Sequence, residues 1–238
     1  HLGTEVEQIG GFVGNFSARL ASGEELNVGA VVLAIGARPY VPTEFGYGRD
    51  PRVITNLELE GLFHGVEAER ITFIGCVGSR REEAGCSRYC CESMIGQALR
   101  LRAMGKRVRV LYKDIRAFSR HAEELYEEAM RAGVQFFRYD SERVPEEAIV
   151  FDGGAVTLND ELLGSPVRIP TDLLVLVVGL RPQEDALTQQ LKTARSRDGF
   201  LLELHPKLGP AETASQGVYL AGTSQAPKDL RESVAPAL

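Results

Sequence analysis

Four cysteines, Cys76, Cys86, Cys90 and Cys91, fall within 16 consecutive residues of a 238-residue chain that has no others. Their spacing is C-x9-C-x3-C-C. A structural zinc site usually presents two short C-x2–4-C knuckles, and only one comparable short pair is present. A redox dithiol usually takes the form C-x-x-C, which is absent. Four thiolates, three of them gathered at the start of a helix, suit an iron–sulfur cube, which takes four cysteine ligands and tolerates varied spacing. Such a group is anionic. A helix N-terminus with free N–H groups, together with Arg80, Arg81 and Arg88, would offset its charge. Vicinal Cys90 and Cys91 point about 100° apart on a helix, so both reach one compact group only from a frayed first turn. Zinc, a reversible thiol pair, and inert buried thiols packing as small hydrophobes stand as the other readings of the same residues.

The elements that must position these thiols follow from the pattern around them. Ile71–Gly75 is a short β-branched and apolar run, the pattern of a buried strand. From Cys91 onward Met94, Ile95, Ala98 and Leu101 recur at helical spacing, and Gly105 supplies a stop. Val108–Tyr112 reads as a second strand. Strand, loop, helix and strand make a βαβ unit, with Cys76 at the carboxyl end of the first strand, where open α/β sheets place ligands. A dinucleotide would require G-x-G-x-x-G in a tight turn. Here Gly75-Cys76-Val77-Gly78-Ser79-Arg80 is followed by further residues before the helix begins. Asp114, at the end of the second strand, is the only remnant of a ribose-binding pattern, so NAD(P) is not expected.

The rest of the chain is strand-rich before and after this unit. Residues 4–21 alternate apolar and polar side chains around turn residues, as a hairpin or meander does. Ala30–Ala34 reads as a fully buried strand ending at Gly36, where backbone can approach a ligand closely. Val53–Leu62 suggests a short strand and a helical turn. A helix is expected over 121–132, starting at Ser119 and closed by Gly133, with Glu123, Glu124, Glu127 and Glu128 on a solvated face. Val134–Phe137 would be a third parallel strand. Asp152-Gly153-Gly154 marks a hairpin, and Asp172–Gly179 a central buried strand. A helix near 184–193, a strand at 200–204 and a strand at 217–223 complete the reading. Chain crossings between two modules are expected near 64–70 and at 180–182.

Composition narrows the function classes. With 44% apolar and 25% charged residues the chain is an ordinary globular one. A net charge of −6 argues against nucleic acid or an anionic membrane as partner. No apolar run approaches the ~20 residues of a membrane span, and no signal peptide is apparent. Clustered cysteines without a secretory signal point to a reducing cytoplasm. The four histidines, 1, 64, 121 and 205, are dispersed, so no acid–base or nucleophile constellation emerges. The sequence opens at His1 without an initiator Met, as a piece of a longer protein would.

Four segments, FIGCVGSR, CSRYCC, LYKDIRAF and HPKLGPAETASQGVYLAGTSQAPKDLRESVA, resemble the heterodisulfide reductase A family and its bacterial relatives, across essentially the whole chain. The resemblance implies an α/β fold of the thioredoxin-reductase-like, two-dinucleotide-domain kind. Residues 1–65 would be the first part of an FAD-type domain, 66–182 an inserted Rossmann-like domain carrying the cysteines, and 183–238 the C-terminal part of the FAD-type domain. It implies a cytoplasmic oxidoreductase passing electrons between FAD and a [4Fe–4S] cluster on Cys76, Cys86, Cys90 and Cys91. Ala34-Ile35-Gly36 resembles the A-T-G strand of such flavoproteins, with Ile35 in place of Thr. Gly222-Thr223 stands where other flavoproteins have G-D. Gly36, Ala37, Gly222, Thr223, Gln225 and Lys228 are the flavin contacts implied. The G-x-G-x-x-G for the flavin's ADP would precede Thr4, so FAD binding is expected of the parent protein. Partners implied are the companion subunits of such a complex, ferredoxin or hydrogenase-type electron donors, and a second copy in a homodimer. An NAD(P)H-dependent disulfide reductase and a structural domain with zinc or free thiols are the alternatives.

Overall fold

The computed structural model describes residues 1–235. The chain divides into two compact units, one built from His1–Arg38 and from Arg181 onward, the other from Pro39–Leu180. The first unit opens with β1 (Val6–Phe12), β2 (Asn15–Leu20), β3 (Glu25–Val28) and β4 (Val31–Leu33). Strand β5 (Ala37–Pro39) carries the chain across. The second unit holds β6 (Val53–Thr55), α1 (Asn56–Leu62), β7 (Arg70–Val77), α2 (Tyr89–Ala103), β8 (Arg107–Tyr112), α3 (Ala122–Arg131) and β9 (Gln135–Arg138). It continues with the short α4 (Pro145–Ala148), then β10 (Ile149–Phe151), β11 (Ala155–Asp160), β12 (Ser165–Pro170) and β13 (Leu173–Val178). Strand β14 (Leu180–Pro182) pairs with β5. It leads to α5 (Ala186–Gln190), β15 (Val218–Leu220) and α6 (Leu230–Val234) of the first unit.

The second unit is a three-layer α/β module. Its five strands run parallel in the order β6-β13-β7-β8-β9. Strands β7 and β13 are nearly continuous apolar runs because both of their faces are covered. On one face Phe73, Val110 and Val175 pack with Met94, Ile95, Ala98 and Leu101 of α2 and Ala129 of α3. On the other, Ile74, Leu111, Leu174 and Leu176 meet Ile149, Val156 and Leu158 of the antiparallel β10-β11-β12 layer. Helix α1 starts on a capping box, in which Thr55 and Glu58 satisfy each other's backbone N–H groups. Buried Asn56 then fastens α1 to the sheet by accepting from the Val178 N–H at 3.0 Å.

At the amino ends of β7 and β13, Asp172 is gripped by the guanidinium and backbone N–H of Arg70. The side-chain hydrogen bond to Arg70 is the main reason the carboxyl lies below its ordinary value. A carboxylate with a lowered folded pKa adds stability above its unfolded value, about 4, and that stability fades as pH falls through the lower folded value. Asp172→Asn is therefore expected to narrow the difference in urea midpoint between pH 7 and acid. An unchanged pH slope would remove the pair from the account.

The first unit contains the meander β1-β2-β3 and the parallel pair β4-β15. Phe16, Leu33, Leu191, Leu201, Val218 and Leu220 form its core.

Several local expectations change. The chain enters the second unit at residue 39 instead of near 64–70, because β6 lies alongside β13 and belongs to its sheet. Strand β4 is not buried throughout: Val32 is 62% exposed, and its register partner Tyr219 is also exposed. The two face the same way on a pair that is covered on one side only. Ser119 does not cap α3; its hydroxyl donates to Glu92, and left-handed His121 precedes the helix. Around 200–204 only an isolated bridge, Arg195 to Leu201, forms. No helix among the described residues is long and apolar enough to cross a membrane.

Candidate functional site

Strand β7 delivers Cys76 through a bulge. Register with β13 runs from Ile74 opposite Leu176 to Val77 opposite Val178, so β7 spends one extra residue over Gly75-Cys76. Cys76 takes a left-handed φ of 64° there. An L-residue in that region is uncommon and costs energy, and bulges of this kind re-aim a side chain. Beneath the bulge Tyr139 is fully buried, and its hydroxyl donates to the Gly75 carbonyl at 2.9 Å. Burial, followed by the neighbouring Cys76, holds that phenol well above its ordinary range. Tyr139→Phe leaves the carbonyl without this donor and is expected to cost about 1–2 kcal/mol, read from the urea midpoint at constant slope. No loss would mean the hydrogen bond does not brace the bulge.

The other thiols come from the loop and the first turn of α2. Cys76, Cys90 and Cys91 are buried and Cys86 is partly exposed. Helix α2 begins at Tyr89, after Arg88 in a left-handed conformation and with no side-chain cap. The Arg88 N–H instead points at the Cys86 sulfur, 3.4 Å away. From the first turn of α2, Cys90 packs into the core, whereas the Cys91 sulfur faces the Asp114 carbonyl at 4.0 Å. A hydrogen bond between the vicinal pair pushes the Cys91 thiol down and the Cys90 thiol well up. Burial pushes Cys76 up to about 11, the nearby Cys91 adding to it and Arg80 opposing it. Cys91, Cys86 and Cys76 thus lie within electrostatic reach of one another.

Counter-charge is supplied differently from the expectation. Arg80 lies beside Cys76 and bonds Asp114. Arg81 turns away to Glu44 and Glu146, and Arg88 stacks over the Phe118 ring. Lys113, almost fully buried, is a second cation near Cys76, which sequence spacing gave no reason to select. Asp114 is engaged by Arg80 and Arg116 instead of being open to a ribose. A β-carbon at Gly78 would lie 2.1 Å from the Tyr40 ring, so this aromatic packs directly on the turn glycine. Ser79 and Ser87 also pack closely on Gly179.

In kind and charge the donor set fits a four-thiolate group: three buried thiols, one partly exposed, two nearby cations and a helix N-terminus. Among the described residues, no set of three or more His, Cys, Asp or Glu side chains is arranged to hold a metal ion. The fit rests on donor chemistry and not on a preformed cage.

In the first unit, the ends of β4 and β15 bring most of the other candidates together. Ala221 N–H and Ser224 Oγ both donate to the Leu33 carbonyl, at 3.0 Å each. This sets Gly36, at φ 73°, against Thr223, whose Oγ1 would be 3.9 Å from a β-carbon at Gly36. Gly222 has φ 63° and open space where a β-carbon would be. Gln225 donates to the Pro210 carbonyl and accepts from Lys228. Ala37 lies just beyond, at the start of β5. Two left-handed glycines with open backbone suit close approach by a planar cofactor.

The fold and these sites define a class. Residues 3–235 match the pyridine nucleotide-disulphide oxidoreductase model, and the chain belongs to that family. It is accordingly an oxidoreductase domain. Its fold is that of T. acidophilum thioredoxin reductase (TM-score 0.62, 20% identity, 98% of this chain and 70% of that one). The HOCl-induced flavoprotein disulfide reductase RclA from Escherichia coli is also similar (TM-score 0.57, 16% identity, 96% of this chain and 47% of that one).

More particularly, the chain is similar to the A subunits of heterodisulfide reductases. It is 39% identical to the A subunit of the H(2):CoB-CoM heterodisulfide,ferredoxin reductase of Methanothermobacter marburgensis, over 90% of this chain. It is 38% identical, over 89% of the chain, to the second iron-sulfur A subunit of the CoB–CoM heterodisulfide reductase of Methanopyrus kandleri. The chain spans 36% of the length of each of these relatives.

Proposed function

We propose that this chain is the electron-transfer core of a heterodisulfide reductase A-like flavoprotein, with Cys76, Cys86, Cys90 and Cys91 as ligands of a [4Fe–4S] cluster. The observation that carries the reading is the mutual electrostatic reach of the four cysteines, borne by the β7 end, the loop after it and the α2 start, with Arg80 and Lys113 beside Cys76. A cluster bound there supplies one-electron carriage between FAD and outside partners. The chain's own contribution is to shield and bias it. Arg80 offsets thiolate charge, the Arg88 N–H serves the Cys86 sulfur, and burial of Cys76, Cys90 and Cys91 excludes water, all levers on potential.

At the β4 and β15 ends, Gly36, Ala37, Gly222 and Thr223 would face the flavin with backbone and a hydroxyl, and Gln225 and Lys228 would contact its polar edge. Membership of the pyridine nucleotide-disulphide oxidoreductase family supports a flavin here, as does the likeness to RclA, itself a flavoprotein. Partners would be the companion subunits of a like complex and ferredoxin or hydrogenase-type donors, in a cytoplasmic setting. Self-association as a homodimer belongs to the same reading.

The test is the visible absorption of anaerobically reconstituted protein. Wild type is expected to show a broad band that bleaches on reduction, and Cys76→Ser and Cys91→Ser to lose it while staying folded. Acid-labile sulfide retained at the wild-type level in both variants would remove these residues as ligands and with them the proposal.

A further inference from the structure

Cys76 stands on a strand and Cys90 and Cys91 on a helix, so Cys86 is the one thiol carried by a loop. That loop is a small hairpin. Arg80 N–H donates to the Gly85 carbonyl at 3.1 Å, and Arg81 and Ala84 exchange backbone hydrogen bonds at 3.0 and 3.2 Å. Its tip, Glu82-Glu83, is solvent-exposed. Left-handed residues bracket it, Arg80 at φ 55° and Arg88 at φ 59°. Two strained non-glycine residues at the base of one tab persist only where contacts over-determine them.

On its far side, Ser87 accepts from the Leu180 N–H at 2.9 Å and anchors the exit. On its near side, the fastening to the rest of the unit is side-chain chemistry. Arg80 holds Asp114, and Arg81 reaches the opposite way to Glu44 at 3.1 Å and Glu146 at 2.9 Å. Glu44 is only 8% exposed and also accepts from the Tyr40 hydroxyl at 2.9 Å. The Arg81 guanidinium lies 5.7 Å from the centre of the Tyr40 ring that covers Gly78. One arginine thus joins the hairpin, the 40–44 segment and α4 through charge-assisted hydrogen bonds, the one to Glu44 sheltered from water.

We propose that Arg81 is the positioning residue for Cys86, latching the 80–88 hairpin through Glu44 and Glu146 so that the loop thiol is held beside the three thiols of the rigid elements. The inference deepens the reading of the four cysteines as one ligand set and gives the outward-turned arginine its role.

The test reads thiol accessibility on the metal-free chain, so its outcome does not depend on whether a cluster binds. Per-cysteine alkylation by N-ethylmaleimide, mapped by mass spectrometry, is compared in wild type, Arg81→Gln and Arg81→Lys. Arg81→Gln is expected to raise the Cys86 rate roughly tenfold, the scale of losing a charge-assisted hydrogen-bonded pair. The Cys76, Cys90 and Cys91 rates should stay within about twofold, and Arg81→Lys should fall between. An unchanged Cys86 rate in Arg81→Gln overturns the latch and leaves the cluster reading standing. Four rates rising together overturn it too, by showing general loosening. A selective rise at Cys86 in a protein that never takes up iron would keep the latch and sink the cluster.

Discussion

Gly78→Ala is expected to destabilise the second unit by about 2–5 kcal/mol, combining the cost of a left-handed alanine with overpacking. Gly78 has φ 70°, and a β-carbon would sit 2.1 and 2.2 Å from two atoms of the Tyr40 ring. Nothing that close is tolerated, so the ring must leave, and with it goes the donor to Glu44 that steadies the Arg81 latch. The urea midpoint should fall at constant slope, since the surface exposed on unfolding stays the same. A double-mutant cycle separates the two causes. On a Tyr40→Ala background the alanine at 78 should cost only the backbone part, about 1–2 kcal/mol. Equal costs on both backgrounds would mean the ring does not seal the turn.

Phe73→Ala should cost about 3–5 kcal/mol, the range for deleting a buried aromatic from a packed core. Phe73 is fully buried on β7, in the cluster that joins Met94 and Ile95 of α2 to Val110 and Val175 of the neighbouring strands. The cavity would open beneath the helix whose first turn carries Cys90 and Cys91. Loss of the midpoint should therefore be accompanied by faster alkylation of that pair. A loss below about 1 kcal/mol would show that the site collapses around the missing ring.

How much of this was legible in the sequence depends on distance along the chain. The βαβ unit around the cysteines could be read directly, and α2 begins at Tyr89, two residues before the helical spacing read from Cys91 onward. The hairpins at 6–20 and 149–160 also follow from local alternation and turn glycines. These depend on neighbours a few residues apart.

What was not legible depends on partners far away. Arg81 looked like a counter-charge for the thiols because it adjoins Arg80, yet Glu44 and Glu146 lie 37 and 65 residues off and draw it outward. Tyr40 gives no local sign that its ring will cover Gly78. The entry into the second unit was expected near 64–70 because β6 is three residues long and its parallel partner β13 begins only at Leu173. Lys113 and Tyr139 reach Cys76 only through the sheet's spatial order. The thioredoxin-reductase-like α/β fold did follow from the motifs.

The central claim, a four-iron cluster on the four thiols, is tested most directly by counting metal. Protein purified and reconstituted without oxygen should hold about four iron and four acid-labile sulfide per chain, and negligible zinc. One zinc per chain, or no metal at all in reconstituted protein with four titratable thiols, would contradict the account and leave an oxidoreductase domain whose cysteines serve structure.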